Sequence, residues 1–134
     1  MATQSCCIQI KNEWDIVNAR QQGRNLAKEI GFGIVDQARV TTAVSELARN
    51  IYLYAKTGEV MIEPIHDGAK KGIKIIAKDK GPGIQDIRAA MEDGYSTSGG
   101  LGAGLPGVKR LMDDFVIHSN VNEGTEVIAL KWLR

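Results

Sequence analysis

The sequence predicts a two-layer α/β sandwich: a mostly antiparallel, mixed sheet with helices on one face. Three observations predict it. Two long stretches with helical spacing of apolar residues come first. Short stretches of alternating apolar and polar residues follow, separated by turns that carry Gly, Asp and Asn. Helices gathered early, with strands mostly after them, fit a sheet covered on one side.

Cys7 to Lys11 reads as an opening strand. Glu13 to Gly31 reads as a helix, with Ile16, Val17, Ala19, Leu26, Ala27 and Ile30 on its apolar face and Gly31 as its stop. Gly33 to Val35 is expected to turn, with Asp36 capping a second helix from Gln37 to Ala55. Val40, Ala43, Val44, Leu47, Ala48, Ile51 and Tyr54 form the apolar side of that helix. Glu59 to His66 and Ile73 to Lys78 are strands around a hairpin loop that begins at Asp67-Gly68. Ile73, Ile75 and Ala77 share one face of the second strand. A sharp turn, Asp79 to Gly83, leads to a short helix from Gln85 to Glu92 and a loop from Asp93 to Ala103. Leu105 to Asp113 is a helix. Asp114 to Asn120 and Glu126 to Leu133 close the chain as strands joined by Val121 to Gly124.

A length of 134 residues favours a single domain, 1–134. Basic and acidic residues nearly balance, 17 against 16, which gives no electrostatic reason to expect nucleic acid. No apolar run is long enough to span a membrane, and no signal peptide is visible at the start. The two cysteines, Cys6 and Cys7, are adjacent and rarely pair in that arrangement, which suits a reducing cytoplasm. Of 15 glycines, six crowd into Gly94, Gly99, Gly100, Gly102, Gly104 and Gly107, a density that points to a local backbone requirement.

Three segments carry possible chemistry. Glu46 and Asn50 are four apart on the second helix and share a face. A carboxylate there can take a proton from an attacking hydroxyl, and an amide oxygen one turn on can ligate Mg²⁺. Asp79 ends a strand ahead of Gly81-Pro82-Gly83. A carboxylate so placed can accept the exocyclic amine of adenine and disfavours guanine, whose keto oxygen leaves it without a partner. The run from Gly99 to Gly107 enters a helix, so its backbone amides and the helix start make an anion site suited to phosphates. Taken singly, the first pair also reads as a solvated helix face and the second as an ordinary turn.

Two other nucleotide motifs are excluded. Gly102 to Gly107 has Walker A glycine spacing, but Val108 stands where lysine is needed. Gly102-x-Gly104-x-x-Gly107 matches the dinucleotide pattern, yet Ser, Thr and Gly precede it where that motif requires a strand.

Helical Glu-x-x-x-Asn, then Asp-x-Gly-x-Gly after a strand, then a glycine-rich run before a helix, then Gly124-Thr125 entering the last strand is an ordered set. In that order the chain resembles the GHKL (Bergerat-fold) ATPases, and among them the bacterial anti-sigma-factor serine kinases, most closely the switch kinases of the general stress pathway. The resemblance runs from about Ile8 to Arg134 and is most specific over Ser45 to Ala55, Gly94 to Met112 and Lys131 to Arg134. It implies Mg·ATP as the nucleotide. Asn50 would hold Mg²⁺, Glu46 would be the general base, and Asp79 would hold adenine with Gly81 and Gly83 in the same box. Gly100, Gly102 and Gly104 would cover the phosphates, and Thr125 would support adenine recognition. It also implies partners: a STAS-domain antagonist and stressosome scaffold as phosphoacceptors, and a PP2C-type phosphatase bound after release. No acceptor histidine precedes the first helix, which sets the chain apart from sensor kinases, and His66 and His118 are expected as packing or surface residues. A non-catalytic nucleotide-gated partner switch and a plain ATPase are the competing expectations.

Overall fold

The computed structural model describes residues 4–84, 91 and 104–134. Its elements are β1 (Cys6–Ile10), α1 (Glu13–Ile30), α2 (Ile34–Asn50), a π-helical turn (Ile51–Ala55), β2 (Gly58–Asp67), β3 (Lys70–Asp79), α3 (Gly104–Leu111), β4 (Asp114–Asn120) and β5 (Gly124–Trp132). The expected helix at 85–92 and loop at 93–103 lie outside the described residues.

The five strands form one sheet in the order β1-β2-β3-β5-β4. Every described pairing is antiparallel, so the mixed character expected from the sequence has no counterpart among the described residues. β2 and β3 pair along their full length, from Gly58 opposite Asp79 to Asp67 opposite Lys70, and leave a two-residue hairpin. Both strands are therefore longer than alternation alone suggested.

Side chains that alternate onto the helix-facing side of the sheet are buried: Ile8 and Ile10, Val60 and Ile62, Ile73, Ile75 and Ala77, Val127 and Ala129. They meet Ile16, Ala19, Leu26 and Ala27 of α1 and Val40, Ala43, Val44 and Leu47 of α2. α1 starts with a capping box in which Asn12 Oδ1 accepts from Asp15 N–H and Asp15 Oδ2 accepts from Asn12 N–H. It stops at Gly31, which takes a left-handed conformation as expected.

α2 departs from expectation at both ends. It begins at Ile34, not Gln37, with Gly33 as N-cap. Asp36 is not the cap: it lies in the first turn, where an acid suits the positive helix end, and pairs with Arg39 at 2.8 Å. At the other end the chain widens into the π-helical turn, which changes the rotation per residue. Tyr54, expected on the apolar side, is consequently 51% exposed.

Candidate active site

α2 carries Glu46 and Asn50 to the same face near its end. Glu46 is 3% exposed, and its Oε2 is closed off from solvent. Burying a carboxylate is costly unless it is paired, so a glutamate at this depth is an unusual choice for a helix face. Asn50 is half-buried and is the last residue of α2.

The register of β3 with β5 places Asp79 directly opposite Thr125. Two residues 46 positions apart in sequence are thus brought together by strand pairing alone. Asp79 Oδ1 accepts the Gly81 N–H at 2.9 Å. Burial pushes the Asp79 carboxyl above its ordinary range, and the N–H groups of Gly81 and Thr125 pull it partly back. A carboxylate offers about four acceptor sites, so capacity remains for an incoming amine.

Ser119, which the sequence reading missed, organises this corner. Its Oγ accepts from the Ile84 N–H at 2.7 Å, donates to the Gly124 carbonyl at 3.1 Å and lies 2.8 Å from Thr125 Oγ1. Either hydroxyl can donate across the Ser119–Thr125 contact, and Thr125 Oγ1 retains acceptor capacity in both arrangements. The available signal was its pairing: in a β4–β5 hairpin Ser119 stands opposite Thr125.

Gly81 and Gly83 shape the turn after Asp79. A Cβ on Gly81 would strike Ala55 of the π-helical turn, and one on Gly83, whose φ is +78°, would overlap the Asn120 carbonyl. The turn is therefore wedged between the end of the α2 segment and the β4–β5 connection. Lys56, which closes the π-helical turn, has φ of +71°, an uncommon conformation for a residue with a side chain. Glycine at both places is accounted for by contacts within the chain, before any approach by a base is considered.

Gly104 begins α3 with φ of +67° and is buried, one residue ahead of the start expected from the sequence. α3 ends at Leu111, not Asp113. Gly100 and Gly102 lie outside the described residues. His66 and His118 are exposed, as expected of surface residues.

The donor set fits an adenine nucleotide with Mg²⁺. Asp79 and Thr125 supply acceptors at one place, and Asn50 supplies an amide oxygen at the end of α2. Among the described residues no group of three or more His, Cys, Asp or Glu is arranged to cage a metal. A cation at Asn50 would take its remaining oxygen ligands from phosphates and water. No described helix is long and apolar enough to cross a membrane.

Residues 10–131 match the histidine kinase-like ATPase domain. The chain is 70% identical to "Serine/threonine-protein kinase RsbT" of Bacillus subtilis (strain 168), over 96% of each chain. It is 32% identical to "Anti-sigma F factor" of Clostridium novyi (strain NT), covering 71% of this chain and 70% of that one. It is 31% identical to "Anti-sigma F factor" of Thermoanaerobacter sp. (strain X514), covering 80% and 78% respectively.

Proposed function

The chain belongs to the histidine kinase-like ATPase family, and on that premise we propose that it is an ATP-dependent serine/threonine protein kinase of a partner-switching pathway, working as one catalytic module. The observation that carries the reading is the pairing of Asp79 with Thr125 beside a turn wedged against the segment that follows Asn50. Identity to a serine/threonine kinase over nearly the whole chain supports it.

Each residue then has a task. Asp79 accepts the adenine amine, and Thr125, held by Ser119, supplies a second acceptor. Asn50 holds Mg²⁺, which when bound neutralises charge on the phosphates. Gly100, Gly102 and Gly104 lend backbone amides to the phosphates. Glu46 takes the proton of the acceptor hydroxyl as that oxygen bonds to the γ-phosphorus and the bond to the β-phosphate oxygen breaks, releasing ADP. Burial of Glu46 keeps its proton-accepting oxygen from being spent on bulk water. Most of the acceleration comes from positioning and preset charge.

The acceptor is a Ser or Thr on a STAS-domain antagonist or stressosome scaffold protein. The released kinase then binds and activates a PP2C-type phosphatase that controls a sigma factor. The anti-sigma names of two relatives support the partner-switching part. The near balance of charge suits protein partners over nucleic acid, and the cytoplasm is where such partners and ATP meet.

The test is phosphotransfer. The protein is mixed with Mg·ATP and a purified STAS-domain antagonist, and the mass of the antagonist is read. One added phosphate on Ser or Thr is the expected result. Bound ATP with no phosphate transferred would replace the kinase with a nucleotide-gated binding switch.

A further inference from the structure

Among the described residues two charged side chains are buried, Glu46 and Lys131. The proposed chemistry uses the first and leaves the second unexplained. Lys131 sits near the end of β5, where alternation puts it on the helix-covered side in line with Val127 and Ala129. An ammonium in that row is costly unless it is paired.

Its partners are specific. Lys131 Nζ donates to the carbonyl of Leu111 at 2.9 Å. Leu111 is the last residue of α3, and its carbonyl is one that a helix end leaves without an intrahelical donor. The same Nζ lies 3.8 Å from Asp36 Oδ1 in the first turn of α2. That oxygen is held more closely by Arg39, at 2.8 Å, so the bond to Leu111 is the firmer hold. The neighbouring backbone adds to the grip: Asp113 N–H donates to Leu130 O at 2.8 Å, and Trp132 N–H donates to Asp113 Oδ2 at 2.7 Å.

α3 is eight residues long, a rod of roughly 12 Å. Its far end is Gly104. A short rod gripped at its carboxyl end has less freedom at its amino end. We infer that Lys131 is a positioning residue: by holding the carboxyl end of α3 against β5 and α2, it sets where Gly104 and the first turn of α3 stand relative to Glu46 and Asn50. The inference rests on the reading that the glycine run binds the ATP phosphates.

A positioning role and a merely structural one separate by ligand. Adenosine meets only the Asp79–Thr125 end, whereas ATP also needs the phosphate amides. Lys131→Met fills the same space without a donor. Its affinity for adenosine is expected to stay within about twofold of wild type while its ATP affinity falls roughly tenfold, the size of one lost hydrogen bond to a charged group. Hydrogen exchange at the amides of Val108 to Leu111 should quicken in parallel. Equal losses for both ligands, or unchanged ATP affinity in a folded variant, overturn the inference. Should Lys131→Met not fold, Lys131→Gln retains a neutral donor and carries the same expectation at about threefold. Gly102→Val tests the parent reading separately. If that variant binds ATP normally, the phosphate assignment itself fails. If it binds ATP poorly and Lys131→Met does not, only the positioning role fails.

Discussion

β3 and β5 lie side by side from Asp79 opposite Thr125 to Gly72 opposite Trp132. At the first end the polar groups are half-buried. Asp79 is steadied by backbone N–H groups yet keeps acceptor capacity, and Thr125 is oriented by Ser119. At the second end polarity is turned inward. Lys131 is 5% exposed and spends its donor on Leu111, while Lys70 stands 5.3 Å over the Trp132 ring outside. The same pair of strands thus presents acceptors with capacity to spare at one end and a consumed donor at the other. The proposed nucleotide end is the one with capacity left over, and the proposed holding end is the one where it is used up.

The comparison can be broken or sharpened by substitution. The largest effect should come at Glu46, the proposed base on α2. Glu46→Gln should cut phosphotransfer by about 10²- to 10⁴-fold and leave ATP affinity nearly unchanged, read by single-turnover transfer beside a nucleotide titration. Unchanged transfer removes Glu46 from the role of base. Asp79→Asn should come next, weakening ATP by roughly tenfold or more through the loss of a charge-assisted acceptor. A variant that binds ATP as wild type does would end the adenine assignment.

Acid should separate the two ends without mutation. The Asp79 carboxyl is raised above the ordinary 3.8, so it protonates early as pH falls and then accepts a donor less well. Burial works against the charge of Asp113, but the Trp132 N–H and the charges of Lys131 and Arg134 outweigh it and hold its carboxyl below 3.8. The stability contributed by Asp113 is therefore present above 3.8 and is lost only as pH falls through its depressed value. ATP affinity should decline first and the fold later, followed by nucleotide titration and near-ultraviolet circular dichroism in one pH series. Simultaneous loss of both would contradict the distinction between the ends.

Smaller effects bound the comparison. Ser119→Ala should cost about 1 kcal/mol of stability and a few-fold in ATP affinity, since Ile84 N–H and Thr125 lose their partner; thermal melting and titration measure both. Arg134→Ala, at an exposed pair with Asp113, should change stability by no more than about 0.5 kcal/mol.

Much of this was legible in the residues. Gly31 announced the end of α1 because few other residues take a left-handed cap. The four-residue spacing of Glu46 and Asn50 fixed their shared face. Asp79 was readable as a strand end because Gly81-Pro82-Gly83 cannot continue a strand. What failed to show has physical causes. Ile34 and Val35 look like interior or turn residues, yet they open α2 while 80% and 64% exposed. Strand lengths depend on a partner's register, which no single segment reveals. A lysine on the inward side of β5 reads from sequence as a break in alternation, and only the carbonyl at the end of α3 explains it.

The π-helical turn has a consequence for how the family's chains can change length. A π turn closes over five residues where an α turn closes over four. Ala55 reaches its seat against Gly81 by way of that one surplus residue. Substitutions along Ile51 to Ala55 alter side chains but preserve the count. A single deletion there would let the wider loop relax into an ordinary one and swing Ala55 around the axis, away from the glycine turn. A change of length in this stretch should therefore disturb the glycine turn more than a change of residue type at its exposed positions, Leu53 and Tyr54.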